Sequence, residues 1–282
     1  MASLTIKEVV LTDDDFKTIS DIVYKHCRIN LHTGKKELVR ARLAKKLREG
    51  NFNSFPEYLK YVFEDKTGRE FSNFIDTLST NLTSFFREKQ HFDFLRGNFL
   101  PSLIERKKKN KNYKIRAWSA GCSSGEELYS IAITLKEALE GHGQWDVKVL
   151  GTDISTRMLE TARQGYYDSE RVSSVSIQQR NKYLLLKQEK NQKYFEVSKA
   201  LRDIVVVRHL NLMENWPIKG PLDFIFCRNV MIYFDKPTQQ YLIDRYWELL
   251  SSGAVLFTGH SESLTGIKHR FKYVQPTIYM KT

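Results

Sequence analysis

Residues 115–127 read IRAWSAGCSSGEE, and the fold follows from how that stretch is parsed. Ile115, Ala117 and Trp118 form an apolar run that predicts a buried strand. Gly121 and Gly125 flank Cys122, Ser123 and Ser124, marking a turn where backbone passes close to a ligand. After the turn, Leu128, Ile131, Ala132, Leu135 and Leu139 recur at helical spacing, which gives a helix one apolar stripe to lay on a sheet. That helix should end by Gly141. Ser123 with Glu126, or Ser124 with Glu127, reads as a capping box at its start. Strand, glycine turn and helix together predict a nucleotide-type site.

The turn lacks the Gly-Lys-Ser/Thr of a P-loop and the G-x-G-x-x-G of a dinucleotide dehydrogenase. Two acids at a helix N-terminus satisfy the helix dipole and repel a pyrophosphate, whereas a cationic ligand tolerates them. S-adenosylmethionine, with a sulfonium and an ammonium group, is such a ligand.

Outward from this centre, Val147–Asp153 (VKVLGTD) is a second apolar run that ends in an acid. An acid at that position in nucleoside-binding α/β folds accepts hydrogen bonds from ribose hydroxyls. Ser155 is a good N-cap for a helix over 156–164, with Gly165 as its terminator. Residues 204–207, 222–227, 254–258 and 271–280 read as further strands, and 237–250 as a helix. Alternating strand and helix predicts a mostly parallel, Rossmann-like sheet. Within 183–197, YLLLKQEKNQKYFEV predicts two short strands around a polar turn, a small antiparallel β insertion at about 181–200 whose edge is able to pair with a peptide.

Before the sheet, the spacing predicts helices over 13–26, 35–49, 55–63 and 70–78, a helical domain of residues 1–84 ahead of an α/β domain of residues 85–282. The second helix has a Val39, Leu43, Leu47 seam, and Lys35, Lys36, Arg40, Arg42, Lys45, Lys46 and Arg48 cover the rest of it. Such a face is either idle solvated surface or a dock for something acidic. In the joining stretch NLTSFFRE (81–88), Phe85 and Phe86 read as core anchors, as do Phe92, Phe94 and Phe99. Arg87, Asn81 and Thr83 are polar groups suited to a ligand's carboxylate and polar edge. The run 106–114 reads as a solvated loop.

Composition limits the classes. A chain of 282 residues with 41% apolar content fits one large or two smaller folded domains. No stretch approaches the ~20 apolar residues of a membrane span, and MASLTIKEVV lacks the features of a signal peptide, so a cytoplasmic protein is expected. Cys27, Cys122 and Cys227 are far apart without C-x-x-C, which indicates small buried residues and neither disulfide framework nor metal site. The net charge of +12 implies an anionic partner.

The later strand ends carry Asn211 and Leu212, then Arg228, Asn229 and Tyr233 in FCRNVMIYFD, all where open α/β sheets bind ligands. His260, Ser261 and Glu262 in GHSES are consecutive and do not form a hydrolytic triad. Taken in order, NLTSFFRE, AGCSSGEE, LGTDIS, CRNVMIYFD and GHSES closely resemble the CheR-type chemotaxis receptor methyltransferases, over nearly the whole chain. That resemblance implies transfer of a methyl group from S-adenosylmethionine to glutamate side chains of bacterial chemoreceptors, leaving glutamyl methyl esters and S-adenosylhomocysteine. It implies cofactor contacts at Asn81, Thr83, Arg87, Glu127, Asp153, Asn211, Leu212, Arg228 and Asn229. Tyr233 is the expected acceptor-orienting residue, and Arg40, Arg42, Lys45, Lys46 and Arg48 are expected to dock the acidic receptor bundle. A receptor C-terminal peptide at the β insertion, recruitment to membrane receptor arrays and a monomeric state complete the expectation, with no nucleic acid and no membrane insertion. One departure from the family pattern is Leu128, where Pro is common after the two acids. The rival readings are a nucleic-acid methyltransferase, disfavoured by the absence of an RNA-binding signature, and a non-catalytic cofactor-binding interaction module.

Overall fold

The computed structural model describes residues 9–189 and 192–282, and by its contacts the chain divides into two units. One comprises the residues up to Thr80 together with Tyr233–Asp235; the other comprises Asn81–Ile232 and Lys236–Thr282.

The first unit is helical: α1 (Asp13–Cys27), α2 (Lys36–Glu49), α3 (Phe55–Glu64) and α4 (Arg69–Leu78). Local chemistry starts these helices. Thr12 and Asp15 form a reciprocal capping box on α1, and Ser54 accepts from Glu57 N–H ahead of Pro56 in α3. Val39, Leu43 and Leu47 of α2 are buried with Ile19, Val23, Leu59, Val62 and Phe74, so the apolar seam faces the helical core.

The second unit opens with α5 (Lys89–Phe94), which runs through a π turn (Leu95–Phe99) into α6 (Leu100–Lys109). Then follow β1 (Lys114–Ala120), α7 (Glu126–Ala138), β2 (Asp146–Asp153), α8 (Thr156–Gln164), β3 (Tyr166–Tyr167), α9 (Ile177–Tyr183), β4 (Leu184–Glu189) and β5 (Gln192–Val197). The chain continues as α10 (Lys199–Arg202), β6 (Val205–His209), β7 (Leu222–Cys227), α11 (Lys236–Leu249), β8 (Leu250–Thr258), β9 (Lys272–Gln275) and β10 (Ile278–Met280). The main sheet has the order β6-β2-β1-β7-β8-β10-β9. Its first five strands are parallel, and β10 and β9 are antiparallel. β1 pairs with β2 on one side and β7 on the other, so the strand order reverses there, which is where such sheets bind ligands beyond their carboxyl ends.

The expected α/β sheet, its mostly parallel pairing and the β insertion are present, with differences in detail. The final expected strand is a hairpin of two, and β3 adds a third strand to the small antiparallel sheet β3-β5-β4. The polar turn expected between its long strands falls on residues 190–191, which lie outside the described residues, as does the opening stretch 1–8. The supposed loop over 106–114 is a correction. Residues 106–109 are the last turn of α6, where Lys107 Nζ pairs with the buried Asp223 Oδ1 at 2.8 Å. A burst of cations suggests solvent, yet a lysine keeps its ammonium near a buried acid while its stem lies along apolar surface.

Phe85, Phe92 and Phe99 are buried core, with Phe86 and Phe94 packed against it. All three cysteines are buried thiols. Among the described residues no helix is long and apolar enough to cross a membrane.

Candidate active site

The turn after β1 is held by the end of β2. Gly121 and Cys122 N–H both donate to Thr152 O at 2.8 Å, and Ser123 N–H donates to Asp153 Oδ2 at 2.8 Å. Asp153 Oδ1 takes Ser155 N–H at 2.9 Å, while the Ser155 hydroxyl caps α8 by accepting Met158 N–H. Asp153 therefore fixes two loops at once. Its carboxylate stands at the end of β2, where open α/β sheets bind their ligands.

The glycines of the turn answer to the protein itself. A Cβ on Gly121 would lie 2.3 Å from Val230 Cγ2, and one on Gly125 would lie 2.8 Å from the Tyr167 hydroxyl. Both residues have positive φ. The expected capping box is absent: the N-cap of α7 is Gly125, and the Ser124 hydroxyl donates to the Glu126 side chain at 2.7 Å. The reason is a competing partner, because Arg171 donates to Ser124 Oγ at 2.8 Å and pairs with the buried Glu126 at 3.0 Å. Leu128, the departure from the family pattern, is fully buried and fills the space beside Gly151.

Glu127 takes the other role. Its Oε1 accepts from the Ser119 hydroxyl at 2.7 Å and its Oε2 pairs with Arg228 Nη1 at 3.2 Å. Burial raises its pKa, with Arg228 and Ser119 opposing that shift. Arg228, its side chain 1% exposed, also donates to Arg87 O at 2.5 Å and pairs with Glu88 Oε2 at 3.2 Å. It thereby joins the segment before α5 to the start of α7. This arginine is an internal clamp between two carboxylates, as a fully desolvated guanidinium must be.

Residues 81–88 lie on the same turn. Ser123 Oγ donates to Asn81 O at 3.0 Å, Phe86 N–H donates to Ser130 Oγ at 2.9 Å, and Arg87 Nη1 donates to Leu82 O at 2.8 Å. Asn81, Thr83 and Arg87 are half-buried. After β6, Leu210 N–H donates to Asp153 O at 3.0 Å, and the buried Asn211 accepts Met213 N–H through Oδ1 at 3.0 Å. Leu212 is buried beside it. The structure thus gathers Asn81, Arg87, Glu127, Asp153, Asn211, Arg228 and Asn229 through contacts at the ends of β1, β2, β6 and β7.

Glu262, in GHSES, was not assigned a role from sequence. It accepts Gly259 N–H at 2.5 Å, Asn229 N–H at 2.7 Å and Ile232 N–H at 3.1 Å, which binds the loop after β7 to the end of β8. Burial raises its pKa against these amides. Glu88 is the other missed residue: burial pushes its pKa up, but Arg228, the His260 N–H and two histidines bring it below the ordinary value. The backbone here is constrained as well. Phe86, Glu88, Ser123 and Asn229 all have φ between 48° and 60°, a region that non-glycine residues rarely enter away from functional loops.

Two expected features belong to the helical unit. Tyr233 accepts Asn30 N–H on its carbonyl at 2.8 Å, and Lys35 Nζ lies 5.2 Å from its ring centroid. Of the basic set on α2, Arg42 donates to Leu78 O at 2.6 Å, Ser79 O at 3.1 Å and Thr80 Oγ1 at 2.9 Å, so it tethers the segment after α4. Arg40 bonds Glu37 at 2.8 Å and Lys46 pairs with Glu49 at 3.2 Å, whereas Lys45 and Arg48 are exposed.

The donor set fits the expected cofactor. A carboxylate at the end of β2, Asp153, and a buried one near the turn, Glu127, are groups that suit hydroxyls and a cationic ligand. Comparison with known proteins agrees. Residues 81–280 match the family model described as "CheR methyltransferase, SAM binding domain", and residues 14–79 match "CheR methyltransferase, all-alpha domain". The chain is 40% identical to the chemotaxis protein methyltransferase of Borreliella burgdorferi, covering 96% of this chain and 95% of that protein. It is 40% identical to chemotaxis protein methyltransferase 2 of Pseudomonas aeruginosa, covering 97% and 95%. With the chemotaxis protein methyltransferase of Escherichia coli K12 the identity is 36%, covering 97% and 92%.

Proposed function

From the premise that the chain belongs to the CheR family of S-adenosylmethionine-dependent methyltransferases, we propose that it methylates glutamate carboxylates of chemoreceptors, forming glutamyl methyl esters and S-adenosylhomocysteine in chemotactic adaptation. The observation that carries this reading is the strand-end cluster around Asp153 and the Glu127–Arg228 pair, in a chain aligned almost end to end with chemotaxis methyltransferases.

The bound cofactor supplies an electrophilic sulfonium methyl. Asp153 holds ribose hydroxyls; Glu127, clamped by Arg228, lends negative charge to the cationic end. Asn81, Thr83, Arg87, Asn211, Leu212 and Asn229 complete the contacts. A glutamate carboxylate is ionised at neutral pH and needs no general base. The residues therefore act by positioning, bringing carboxylate oxygen and methyl carbon within about 3–3.5 Å and excluding water. Tyr233 orients the acceptor. In the helical domain Arg40, Lys45, Lys46 and Arg48 dock the acidic cytoplasmic bundle by charge complementarity, and Arg42, expected among them, instead holds the segment after α4. The exposed Leu185 and Leu186 on β4 suit addition of a receptor C-terminal peptide to the small sheet. The protein works as a cytoplasmic monomer recruited to receptor arrays.

Labelled methyl transfer to a purified chemoreceptor cytoplasmic fragment tests this. Base-labile label on the receptor, lost with Glu-to-Gln receptor variants and with Asp153→Ala enzyme, is the expected result. Label on an RNA control instead would replace the proposal with nucleic-acid methylation, and cofactor binding without transfer would replace it with an interaction module.

A further inference from the structure

Beside the Glu88–Arg228 pair stand His91 and His260, two histidines to which methyl transfer assigns no purpose. His91 is wholly buried, and its Nε2 lies 2.7 Å from Thr277 Oγ1. That hydroxyl donates its one proton to Pro276 O at 2.6 Å, so toward His91 it accepts. In the matching tautomer His91 carries its proton on Nε2 and a lone pair on Nδ1. Nδ1 faces Glu88 Oε2 at 3.4 Å and has no hydrogen-bond partner. His260 Nε2 stands 3.7 Å from the same Glu88 oxygen, on the open side, with its side chain 48% exposed. The amide of the exposed Gln90 abuts this nitrogen.

One ligand atom from each of Glu88, His91 and His260 lies within 4.8 Å of the other two, beside the Arg228 guanidinium. We propose that Glu88, His91 and His260 form a binding site for a divalent transition metal of the zinc class. Two imidazole nitrogens and one carboxylate oxygen suit zinc or cobalt and not magnesium or calcium, which prefer all-oxygen shells. Bonds of about 2.05 Å in a tetrahedron put donor atoms ~3.3 Å apart; the two histidine–Glu88 distances are 3.4 and 3.7 Å, so the His91 and His260 nitrogens draw together around the ion when it binds. Thr277 is the outer partner that fixes the His91 tautomer, as ligating histidines require. Gln90 swings aside, water completes the four donors, and His260 marks the entrance. Arg228, paired with the same Glu88 oxygen at 3.2 Å, competes with the ion for it. It remains anchored by Glu127.

The test uses Co²⁺ as the probe on chelator-treated full-length protein. The expected result is one Co²⁺ per chain with the intense visible absorption of a four-coordinate site, displaced by Zn²⁺. His260→Ala, an exposed change that leaves the melting temperature in place, should weaken binding at least tenfold, whereas His142→Ala on the surface should leave it unchanged. The site is refuted if the intense bands persist in His260→Ala, if only the weak bands of six-coordinate cobalt appear, or if His142→Ala removes binding equally.

Discussion

The two ends of the same parallel strands are built by opposite rules. At the carboxyl ends, Glu88 and Glu127 flank the buried Arg228, Glu262 is buried against loop amides, and Phe86, Glu88, Ser123 and Asn229 have left-handed backbone. At the amino ends each acid meets one cation: the buried Asp223 pairs with Lys107, and the half-exposed Asp146 pairs with Arg116 Nη2 at 2.5 Å. Burying carboxylates and holding strained backbone both oppose stability. The amino ends have one such acid, Asp223, and one such residue, Lys111, where the carboxyl ends gather three and four, the concentration expected where a ligand binds.

The largest expected effect comes from removing the clamp. Arg228→Met strands Glu88 and Glu127 without their cation, at about 3–5 kcal/mol of stability. Lys107→Met should cost less than half of that, since Asp223 keeps the Arg116 N–H donated at 2.8 Å. Urea unfolding of both variants decides the matter. Equal losses would erase the contrast between the ends.

Glu262→Gln comes next. A glutamine retains one acceptor oxygen where the carboxylate receives amides on both, which should cost ~2 kcal/mol. The loop from Asn229 to Ile232 loosens, so cofactor affinity should fall about tenfold by calorimetry, equivalent to ~1.4 kcal/mol. If stability drops while affinity is unchanged, Glu262 serves the fold alone.

Which of these groups was legible in sequence depended on how local their partners are. The β1–turn–α7 unit, Asp153 and the Ser155 cap each announce themselves within a dozen residues, through glycine spacing and apolar period. Glu88 and Glu262 do not, because the N–H groups and arginine they serve arrive from other strand ends. The capping box failed for the same reason: Ser124 and Glu126 turned toward Arg171, far along the chain. Arg228 was recognised by position, but its burial between two acids depends on tertiary packing. Charge runs mislead similarly, since Lys107 and Arg42 lie in clusters that read as solvated yet each holds an internal partner.

Arg116→Gln probes the exposed end directly. Its pair with Asp146 lies at the surface, the two side chains 32% and 48% exposed, so the loss should be about 0–1 kcal/mol. Methyl transfer should be unaffected. A loss as large as that of Glu262→Gln would mean that the amino ends carry more of the stability than their exposure suggests.

The smallest effect is also the sharpest in sign. Hydrogen bonding to Arg116 lowers the Asp146 pKa below 3.8, so its contribution is complete above the unfolded value and is lost as pH falls through the folded one. Burial raises Glu127 above 4.5; its unfolded form releases the proton first, so stability declines as pH rises from the unfolded value toward the folded one. Relative to wild type, Asp146→Asn should therefore worsen, and Glu127→Gln should improve, as pH rises through these windows. Melting temperatures across the acid range would show the two differences changing in opposite directions. Parallel changes would mean that Arg228 outweighs the burial of Glu127, and the carboxyl-end cluster would then stabilise the ionised form as the surface pair at the other end does.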